Sequence, residues 1–473
     1  MSFTRRSFLI GAASGVSVLA LAACTDGPPV PSPTPRPTSP VDSLPEARSF
    51  YRSNWAKDPY ARGATSFLAV GALPQSRDAL REPVLDRVFL AGEALSDAPG
   101  TVSGAVASGR SAAQSLADVM DEGERIAVIG AGAAGAAAAR VLAANGAEVI
   151  VLEARDRTGG RIDSKVSGDD FSFELGAWRL AENADADIID DLAREEVDVN
   201  PLTGGSAYAL TASEAAVELD AEDPALTAAQ GAVGVAVEWA KQQQRDVSLA
   251  DALNEGGKPN DWPAAGVSGV TSDVLLNQLI LNAAGVTGAD ADSLSAWFST
   301  PEAEMPSVVP TGPLSSFIDA ALDGMNTVMS AAVVGVAYRE SGVSIRLATG
   351  ESVRADRVVV TVPLGVLQEQ VIEFDPPLPL SHRSALNALS VGHIELVVMD
   401  FETAFWETEA VWWINESEDG PIRLWVNLLP ATGRPVLLGV VGAQSALELA
   451  DADDAKVLAM ARKSLEPFAQ PGT

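Results

Sequence analysis

The chain has 473 residues, with 64 acidic against 32 basic side chains, a formal net charge of −32, two His and one Cys. A single Cys excludes an intramolecular disulfide framework and any multi-cysteine zinc or iron–sulfur site, and two His leave little room for a His-based metal centre or triad. The negative charge opposes binding to nucleic acid and to anionic lipid. The length predicts two or three folded domains, and the composition favours chemistry carried out by an organic cofactor, with no metal site.

The first 23 residues are predicted to be an export signal. Arg5 and Arg6 precede a short apolar stretch that ends in Leu-Ala-Ala before Cys24. This form resembles a twin-arginine signal that ends in the lipobox of a bacterial lipoprotein. The apolar stretch is shorter than the roughly 20 residues of a spanning helix. We therefore expect extracytoplasmic localisation, with a lipid on Cys24 as the membrane contact. An uncleaved membrane anchor is the alternative.

Residues 24–46 are rich in Pro, Ser and Thr, which predicts an extended linker. Three short motifs follow within residues 47–118. They are W-x-x-D-P from Trp55 to Pro59, F-L-A-G-E ending at Gly92-Glu93, and G-T-V-x-G-A from Gly100 to Ala105. A short acidic stretch from 118 to 124 leads out of this segment.

A glycine-rich loop lies between two predicted strands. The apolar run 126–129 leads into Gly-Ala-Gly-Ala-Ala-Gly at 130–135, a helix-prone stretch reaches Asn145-Gly146, and a second apolar run at 148–152 ends at Glu153. In such a unit the glycines allow a tight turn and close approach to a pyrophosphate, and the acid binds a ribose hydroxyl. The pattern predicts a dinucleotide site.

The residues after Glu153 resemble the flavin amine oxidase superfamily, which includes monoamine, polyamine and L-amino-acid oxidases and histone demethylases of the amine-oxidase type. The resemblance rests on E-A-R-x-R-x-G-G-R at 153–161, E-L-G-A at 174–177, V-T-V-P-L-G-V-L at 360–367, F-x-P-P-L-P at 374–379 and F-x-x-x-F-W at 401–406. It implies an α/β fold with a Rossmann-like FAD-binding domain and a substrate domain of mixed sheet and helices. The implied FAD contacts are Gly92, Glu93, Thr101, Val102, Ala105, Gly130, Ala131, Gly132, Ala134, Gly135, Glu153, Ala154, Arg155, Gly159, Gly160, Arg161, Gly176, Ala177, Trp178 and Val333.

The order of the motifs differs from the family. Members of the family end in the W-x-x-D-P, F-A-G-E and G-T-V segments, which here precede the glycine loop. We infer a circular permutation, with the C-terminus close to residues 47–50; an artefact of gene assembly is the alternative. The segments are 1–23 (signal), 24–46 (linker), 47–118 (FAD domain, permuted), 124–200 (FAD-binding Rossmann segment), 201–300 (helical part of the substrate domain), 301–365 (FAD domain), 366–445 (substrate-domain sheet) and 446–473 (C-terminal segment returning toward residue 47).

Several positions depart from commoner family members. The family Lys that holds a water at flavin N5 corresponds to Leu396, which cannot hold that water. The Cys that links FAD in monoamine oxidases corresponds to Ala64, so FAD is expected to be bound non-covalently. The aromatic cage positions correspond to Thr65 and Thr101, and Phe67 could supply a nearby wall.

Trp178 and Arg179 extend the E-L-G-A segment. L-amino-acid oxidases have a similar segment, in which the Arg binds the substrate carboxylate, so Arg179 could do the same; pairing with an acid such as Glu182 is the alternative. His382 and His393 are both predicted to be polar surface or loop residues rather than bases.

The resemblance implies oxidation of an amine or L-amino acid by hydride transfer to flavin N5, with oxygen as acceptor. Candidate active-site residues are Arg179, Trp178, Leu396 and Phe67. A dehydrogenase or desaturase with another acceptor and a non-catalytic flavin-binding lipoprotein remain as alternatives. The partner is then a small-molecule amine, and the sequence does not indicate an oligomeric state.

Overall fold

The computed structural model describes residues 44–166, 171–202, 207–210, 216–219, 223–256, 269–298, 307–415 and 420–469. The predicted signal and most of the linker lie outside these ranges. The helices are α1 (Gln75–Arg81), α2 (Val102–Ala117), α3 (Ala133–Ala144), α4 (Ala186–Arg194), α5 (Pro224–Lys241), α6 (Leu249–Gly256), α7 (Ser272–Thr287), α8 (Ser316–Leu322), α9 (Leu364–Gln368), α10 (Leu380–Ala388), α11 (Leu429–Thr432), α12 (Ala443–Asp451) and α13 (Asp454–Ala469).

The strands are β1 (Ser49–Arg52), β2 (Thr65–Phe67), β3 (Val88–Leu90), β4 (Arg125–Ile129), β5 (Glu148–Leu152), β6 (Ser164–Val166), β7 (Ser172–Glu174), β8 (Leu180–Ala181), β9 (Val199–Pro201), β10 (Ala207–Leu210), β11 (Ala216–Leu219), β12 (Ser307–Pro310), β13 (Asn326–Val328), β14 (Val333–Arg339), β15 (Gly342–Leu347), β16 (Ser352–Ala355), β17 (Arg357–Val360), β18 (Glu373–Asp375), β19 (Ser390–Gly392), β20 (Ile394–Asp400), β21 (Trp412–Ile414), β22 (Leu424–Asn427) and β23 (Val436–Gly442).

A five-stranded parallel sheet holds the glycine-rich loop. Its order is β13-β5-β4-β17-β3, so β3 occupies the edge beyond β17 although it precedes β4 in the chain. Successive residues of each strand point to opposite faces. Ile126 and Val128 pack with α2, α3 and α8, whereas Ala127 and Ile129 pack against the four-stranded sheet β16-β15-β14-β18. The sheet is therefore covered on both faces, as its continuous apolar strands predict.

A seven-stranded sheet forms the second large layer, in the order β1-β20-β23-β22-β21-β10-β11. Strand β20 pairs antiparallel with β23, and Leu396 lies opposite Val440 while Val398 lies opposite Leu438. One face packs on α12 and α13, and the other faces β7 and β12 through an apolar cluster that includes Leu396. The alternating pattern at 395–401, 411–415 and 423–428 agrees with β20, β21 and β22.

The segment 201–300, expected to be helical, contains α5, α6 and α7 but also strands β10 and β11. These strands extend the seven-stranded sheet, since β10 pairs with β21. Each long helix begins at a polar cap: Asp223 accepts a hydrogen bond from the amide of Ala225 before α5, and Thr271 accepts one from Val274 before α7. Among the described residues, no helix is both long and apolar enough to span a membrane.

The first described residues lie against the last helix. Leu44 belongs to the same buried cluster as Phe468 and Ala469 at the end of α13. Arg462 of α13 donates to the carbonyl oxygens of Leu44 (3.3 Å) and Pro45 (3.2 Å). The position expected for Thr473 lies outside the described residues, but the helix that leads to it ends beside residue 44.

Candidate functional site

The glycine-rich loop packs so closely that two of its glycines cannot be replaced without a clash. Gly130 has φ +107°, and a Cβ on Gly135 would lie 1.9 Å from the carbonyl oxygen of Gly130. Gly132 is the N-cap of α3, and no side chain caps the amides of that helix end. These amides face the region where an anion is stabilised by a helix N-terminus. Ala131 and Ala134, also predicted here, are buried.

Glu153 is held directly under this loop. Its carboxylate is 5% exposed and accepts hydrogen bonds from the amides of Ala131 and Arg155, both at 2.8 Å. Each carboxylate oxygen retains a free lone pair for a hydroxyl group. Ala154, the next predicted residue, is half-buried beside it.

A second loop runs alongside the first. Gly159 donates its amide hydrogen to the carbonyl of Ala131 at 2.9 Å, and both Gly159 (φ +91°) and Gly160 (φ +61°) adopt conformations that favour glycine. Arg157 fastens this loop by donating to the carbonyl oxygens of Gly160 and Ile162 at 3.0 and 3.1 Å. The predicted loop residues are thus brought together, with Arg157 in a structural role.

Arg161 and Glu93 join the two parts of the cofactor-binding segment that are distant in the chain. The Nη1 atom of Arg161 lies 3.1 Å from Oε1 of Glu93 and donates to the carbonyl oxygen of Ala64 at 2.8 Å. Oε2 of Glu93 accepts from the hydroxyl of Ser66 and the amide of Gly100, both at 2.8 Å. Glu93 is 6% exposed. A buried carboxylate needs compensating partners, and Arg161 and these two donors supply them.

Arg155 does not lie free for a ligand. It forms a bidentate pair with Asp58 at 2.8 and 2.9 Å, and its guanidinium lies 5.3 Å from the ring centre of Tyr60. Asp58 belongs to the W-x-x-D-P motif. Trp55 of the same motif donates its indole N–H to the carbonyl oxygen of Leu175 at 2.7 Å.

The start of α2 adjoins the same region. Thr101 caps this helix by accepting from the amide of Gly104 at 2.9 Å, and Val102 is buried while Ala105 is half-buried. Gly92 has φ +143°, a conformation that favours glycine, and donates its amide hydrogen to the hydroxyl of Ser108 at 3.1 Å. Thr101 itself is exposed.

Val333 and Gly176 lie next to residues that hold Glu153 and Arg161. Val333 begins β14, and two residues earlier the amide of Ala331 donates to the backbone carbonyl of Glu153 at 2.7 Å. A Cβ on Gly176 would lie 1.7 Å from the carbonyl oxygen of Arg161. Ala177 donates its amide to that same oxygen at 3.2 Å. The E-L-G-A segment therefore packs directly against Arg161 of the second loop.

The residues predicted for the substrate side divide between two places. Leu396 (2% exposed) and the half-buried Trp178 belong to the apolar cluster between β20 and β7, and Arg179 lies 5.2 Å from the ring centre of Trp178. Phe67 instead packs with Leu249 and Leu294 of the helical region. The structure thus brings Trp178, Arg179 and Leu396 together, and Phe67 belongs to a neighbouring cluster.

The structure corrects the prediction for His382. It is 3% exposed and donates from Nε2 to the carbonyl oxygen of Glu82 at 2.9 Å, so it is a core residue of α10 rather than a surface residue. His393 is half-buried, and burial lowers its pKa. This favours the neutral imidazole at neutral pH.

The sequence gives no indication that two acids, Glu395 and Glu174, are buried. Glu395 is 0% exposed and accepts from the hydroxyl of Ser53 (2.5 Å) and the amide of Ala56 (3.0 Å); burial raises its pKa. Glu174 is also buried, and burial raises its pKa to about 7. Glu174 stands in the E-L-G-A motif, but its burial follows from tertiary packing. For Glu395, the alternating pattern of β20 carried no signal of a buried acid.

These residues fit FAD. A Cβ would fill the tight turn at Gly135, the N-terminus of α3 lacks a side-chain cap, and Glu153 presents carboxylate lone pairs beneath the loop. Together they provide the tight turn, the anion site and the ribose acceptor that a dinucleotide requires. Arg161 is held beside this loop by Glu93 and the carbonyl oxygen of Ala64.

Comparison with known proteins agrees with this geometry. The profile of flavin containing amine oxidoreductases matches residues 36–117 and 133–471. Polyamine oxidase 4 of Oryza sativa subsp. japonica is 29% identical over 364 residues, 73% of each chain, and polyamine oxidase 2 of Arabidopsis thaliana is 30% identical over 350 residues, 69% of each chain. A wild-type putrescine oxidase bound to putrescine has the same fold, with a TM-score of 0.55 and 20% identity over 74% of this chain and 83% of that chain. The chain belongs to the flavin containing amine oxidoreductase family and is an FAD-dependent, amine oxidase-like enzyme.

Proposed function

We propose that the protein oxidises an aliphatic primary or secondary amine at the apolar face of the seven-stranded sheet. The observation that carries the proposal is the position of Leu396 and Trp178 in one buried apolar cluster, directly beside the segment from Gly176 to Ala177 that contacts Arg161. The polyamine and putrescine oxidases among the similar proteins support an amine as substrate.

FAD, when bound, supplies the hydride acceptor at its N5 atom. The substrate carbon bonded to nitrogen loses a hydride, the nitrogen lone pair forms the C=N bond, and water then hydrolyses the imine to a carbonyl compound and an amine or ammonia. The apolar walls formed by Leu396 and its neighbours exclude water and favour the neutral amine, whose lone pair is required. Trp178 and Arg179 provide a planar wall that orients the substrate.

The acceptor of the electrons is proposed to be oxygen. A dehydrogenase that uses a different acceptor is the second candidate, and Leu396 is the observation that favours it. Its side chain is 2% exposed and apolar, so it provides neither a positive charge nor a hydrogen bond to a water.

Anaerobic reduction of the bound flavin by a panel of amines and L-amino acids, followed by exposure to air, tests both candidates. Reduction by an amine with rapid peroxide formation supports the oxidase, and reduction that persists in air supports the dehydrogenase. Reduction by L-amino acids alone would instead support carboxylate binding by Arg179. No bleaching with any compound would refute amine oxidation.

We also propose that the chain is a circular permutation of the family order. Three observations support it: β3 occupies the far edge of the parallel sheet, Leu44 packs beside the end of α13, and the joint near residue 120 is held by a buried Arg357. Arg357 pairs with Glu124 (2.6 Å) and donates to the carbonyl oxygen of Val119 (2.8 Å). A chain rebuilt to begin at residue 124, with 469 joined to 44, is expected to fold and bind FAD; aggregation of every such variant with linkers of different length would contradict the permutation.

Export by the twin-arginine route and lipid attachment at Cys24 are proposed from the sequence, since both fall outside the described residues. In a host with this pathway, replacing Arg5 and Arg6 by Lys is expected to retain the protein in the cytoplasm. Cys24→Ser is expected to abolish incorporation of labelled fatty acid. Unchanged membrane attachment in the Cys24 variant would refute the lipid anchor.

A further inference from the structure

Helix α7 carries a buried oxygen atom that makes no hydrogen bond. Within the described part of the chain, Oδ1 of Asn282 is shielded from solvent and has no partner. Gln278, one turn earlier on the same helix, is only 6% exposed although its side chain is polar. Buried polar atoms are nearly always paired, because an unpaired acceptor has lost its hydrogen bonds to water. The unpaired oxygen of Asn282 therefore calls for a donor that the surrounding residues do not supply.

The packing of Gly285 shows which way this side of α7 faces. A Cβ on Gly285 would lie 3.0 Å from Cγ1 of Val440 on β23. Residues three, four or seven positions apart share one face of an α-helix, so Gln278 and Asn282 lie on the side of α7 that Gly285 turns toward the sheet. Val440 belongs to the same apolar cluster as Leu396 and lies directly opposite it in the β20–β23 pair. The unpaired oxygen is thus on the side of α7 that faces the proposed amine site.

The same helix ends at the cofactor-binding segment. A Cβ on Gly392 would clash with the carbonyl oxygen of Thr287, the last residue of α7, and would lie 2.7 Å from Cγ2 of Thr65. Thr65 begins β2, directly after the residue whose carbonyl oxygen accepts a hydrogen bond from Arg161. At 1.5 Å per residue, Asn282 is about 7.5 Å along the helix from this contact. It therefore lies on the stretch of α7 between the sheet and the residues that fit FAD.

The acceptor is suited to the neutral form of an amine. A neutral amine has N–H donors and one lone pair, and the proposed loss of a hydride needs that lone pair to form the C=N bond. An uncharged amide oxygen accepts from an N–H group and leaves the lone pair free. A carboxylate in the same place would stabilise the protonated ammonium form, which has no lone pair. The chain has twice as many acidic as basic residues, yet the acceptor at this position is uncharged.

We propose that Asn282 is a substrate-binding residue: its Oδ1 atom accepts a hydrogen bond from an N–H group of the neutral amine and selects that form over the ammonium ion. The inference rests on the proposed amine oxidation and adds to it a residue that no motif of the sequence indicates. The hydrogen bond itself involves no covalent step. It turns the nitrogen lone pair away from α7, so that the lone pair is free to form the C=N bond when the adjacent carbon loses its hydride.

The experiment measures how binding of 1-aminobutane depends on pH, in holoenzyme whose flavin has first been reduced with dithionite so that no hydride can be transferred. For the wild type, the affinity measured by calorimetry is expected to rise about tenfold per pH unit between pH 7 and pH 9, because the neutral fraction of an alkylamine with a pKa near 10 rises by that factor. In Asn282→Asp the ionised carboxylate favours the ammonium form. The affinity is then expected to change by less than about twofold per pH unit.

The matched control makes the same substitution on the exposed side of the helix. Asn277 is an exposed residue of α7, and Asn277→Asp should keep the wild-type dependence on pH. A merely structural role of Asn282 would weaken binding in Asn282→Asp without changing this dependence. An unchanged slope in Asn282→Asp, or a wild type whose affinity does not rise with pH, would overturn the proposal.

A second variant keeps the test available if Asn282→Asp fails to fold. Asn282→Leu has a similar volume and lacks the acceptor, so it is expected to bind 1-aminobutane roughly 2- to 10-fold more weakly at every pH, with the wild-type slope. Equal affinity in Asn282→Leu and the wild type would refute the hydrogen bond.

The two proposals fail in different ways. A wild-type oxidised flavin that no amine reduces refutes amine oxidation, and calorimetry on the reduced holoenzyme then still decides whether Asn282 binds a neutral amine. A flavin that amines reduce, together with equal pH slopes in the wild type and Asn282→Asp, refutes the role of Asn282 alone.

Discussion

Glu174→Gln provides a quantitative test of how deeply this carboxyl group is buried. Its ordinary pKa of 4.5 is raised to about 7 in the folded chain, chiefly by burial. Since the folded state then binds more protons than the unfolded state between these values, the stabilising contribution of the protonated acid is lost as the pH rises from about 4.5 to about 7. The two values differ by about 2.5 pH units at about 1.4 kcal/mol each, so the full loss is about 3.5 kcal/mol, of which about 3 falls between pH 5 and pH 8.

The assay is the thermal midpoint of the FAD-loaded wild type and variant at pH 5 and pH 8. An unfolding entropy of about 2.1 cal/mol/K per residue over 473 residues is about 1 kcal/mol/K, so the midpoint of the wild type should fall by about 3 °C more than that of Glu174→Gln across this range. The raised pKa of Glu395 acts in both proteins and cancels in the comparison. Parallel midpoints, or a larger fall in the variant, would refute the assignment of a neutral buried acid at position 174.

Three further predictions follow from the geometry. Gly135→Ala is expected to abolish flavin absorbance in the purified protein, because its Cβ would lie 1.9 Å from a backbone oxygen of the glycine loop, whereas Gly231→Ala, with no atom within 4 Å, should retain it; equal flavin content would contradict this. Arg357→Met removes a buried ion pair and should lower the free energy of unfolding by roughly 3–5 kcal/mol. Arg346→Met, at an exposed pair, should lower it by less than about 1 kcal/mol. Similar denaturation midpoints of the two variants would show that Arg357 does not hold the stretch near residue 120. Leu396→Lys is expected to speed reoxidation of the reduced flavin by air in stopped-flow measurements, and an unchanged rate would refute the role given to this position.

The local chemistry of the cofactor loop could be read from the sequence because it depends on neighbouring residues. The glycines at 130, 132 and 135 and the acid at 153 belong to one strand–helix–strand unit, so backbone sterics and helix polarity act over short distances along the chain. The structure places the amide of Ala131 on Glu153, as such a unit requires. The two strands predicted at 126–129 and 148–152 are likewise local patterns, and they appear as β4 and β5.

The individual partners of the charged residues could not be predicted in this way. The resemblance implies that Arg155 contacts FAD, but it gives no indication of the bidentate pair with Asp58, almost one hundred residues away. His382 was assigned to the surface and is buried against the carbonyl oxygen of Glu82, three hundred residues away. Such pairs form only when distant segments meet.

The sequence by itself determined the family and its flavin cofactor, because both rest on residue types at fixed spacing. Only the tertiary structure decided which acids are buried and which of them lack partners. Glu93, Glu174 and Glu395 are all buried. Glu93 pairs with an arginine, and Glu395 accepts from a hydroxyl and an amide, whereas one oxygen of Glu174 has no donor among the described residues. Burial and pairing depend on contacts between segments far apart in the chain, which the sequence does not reveal.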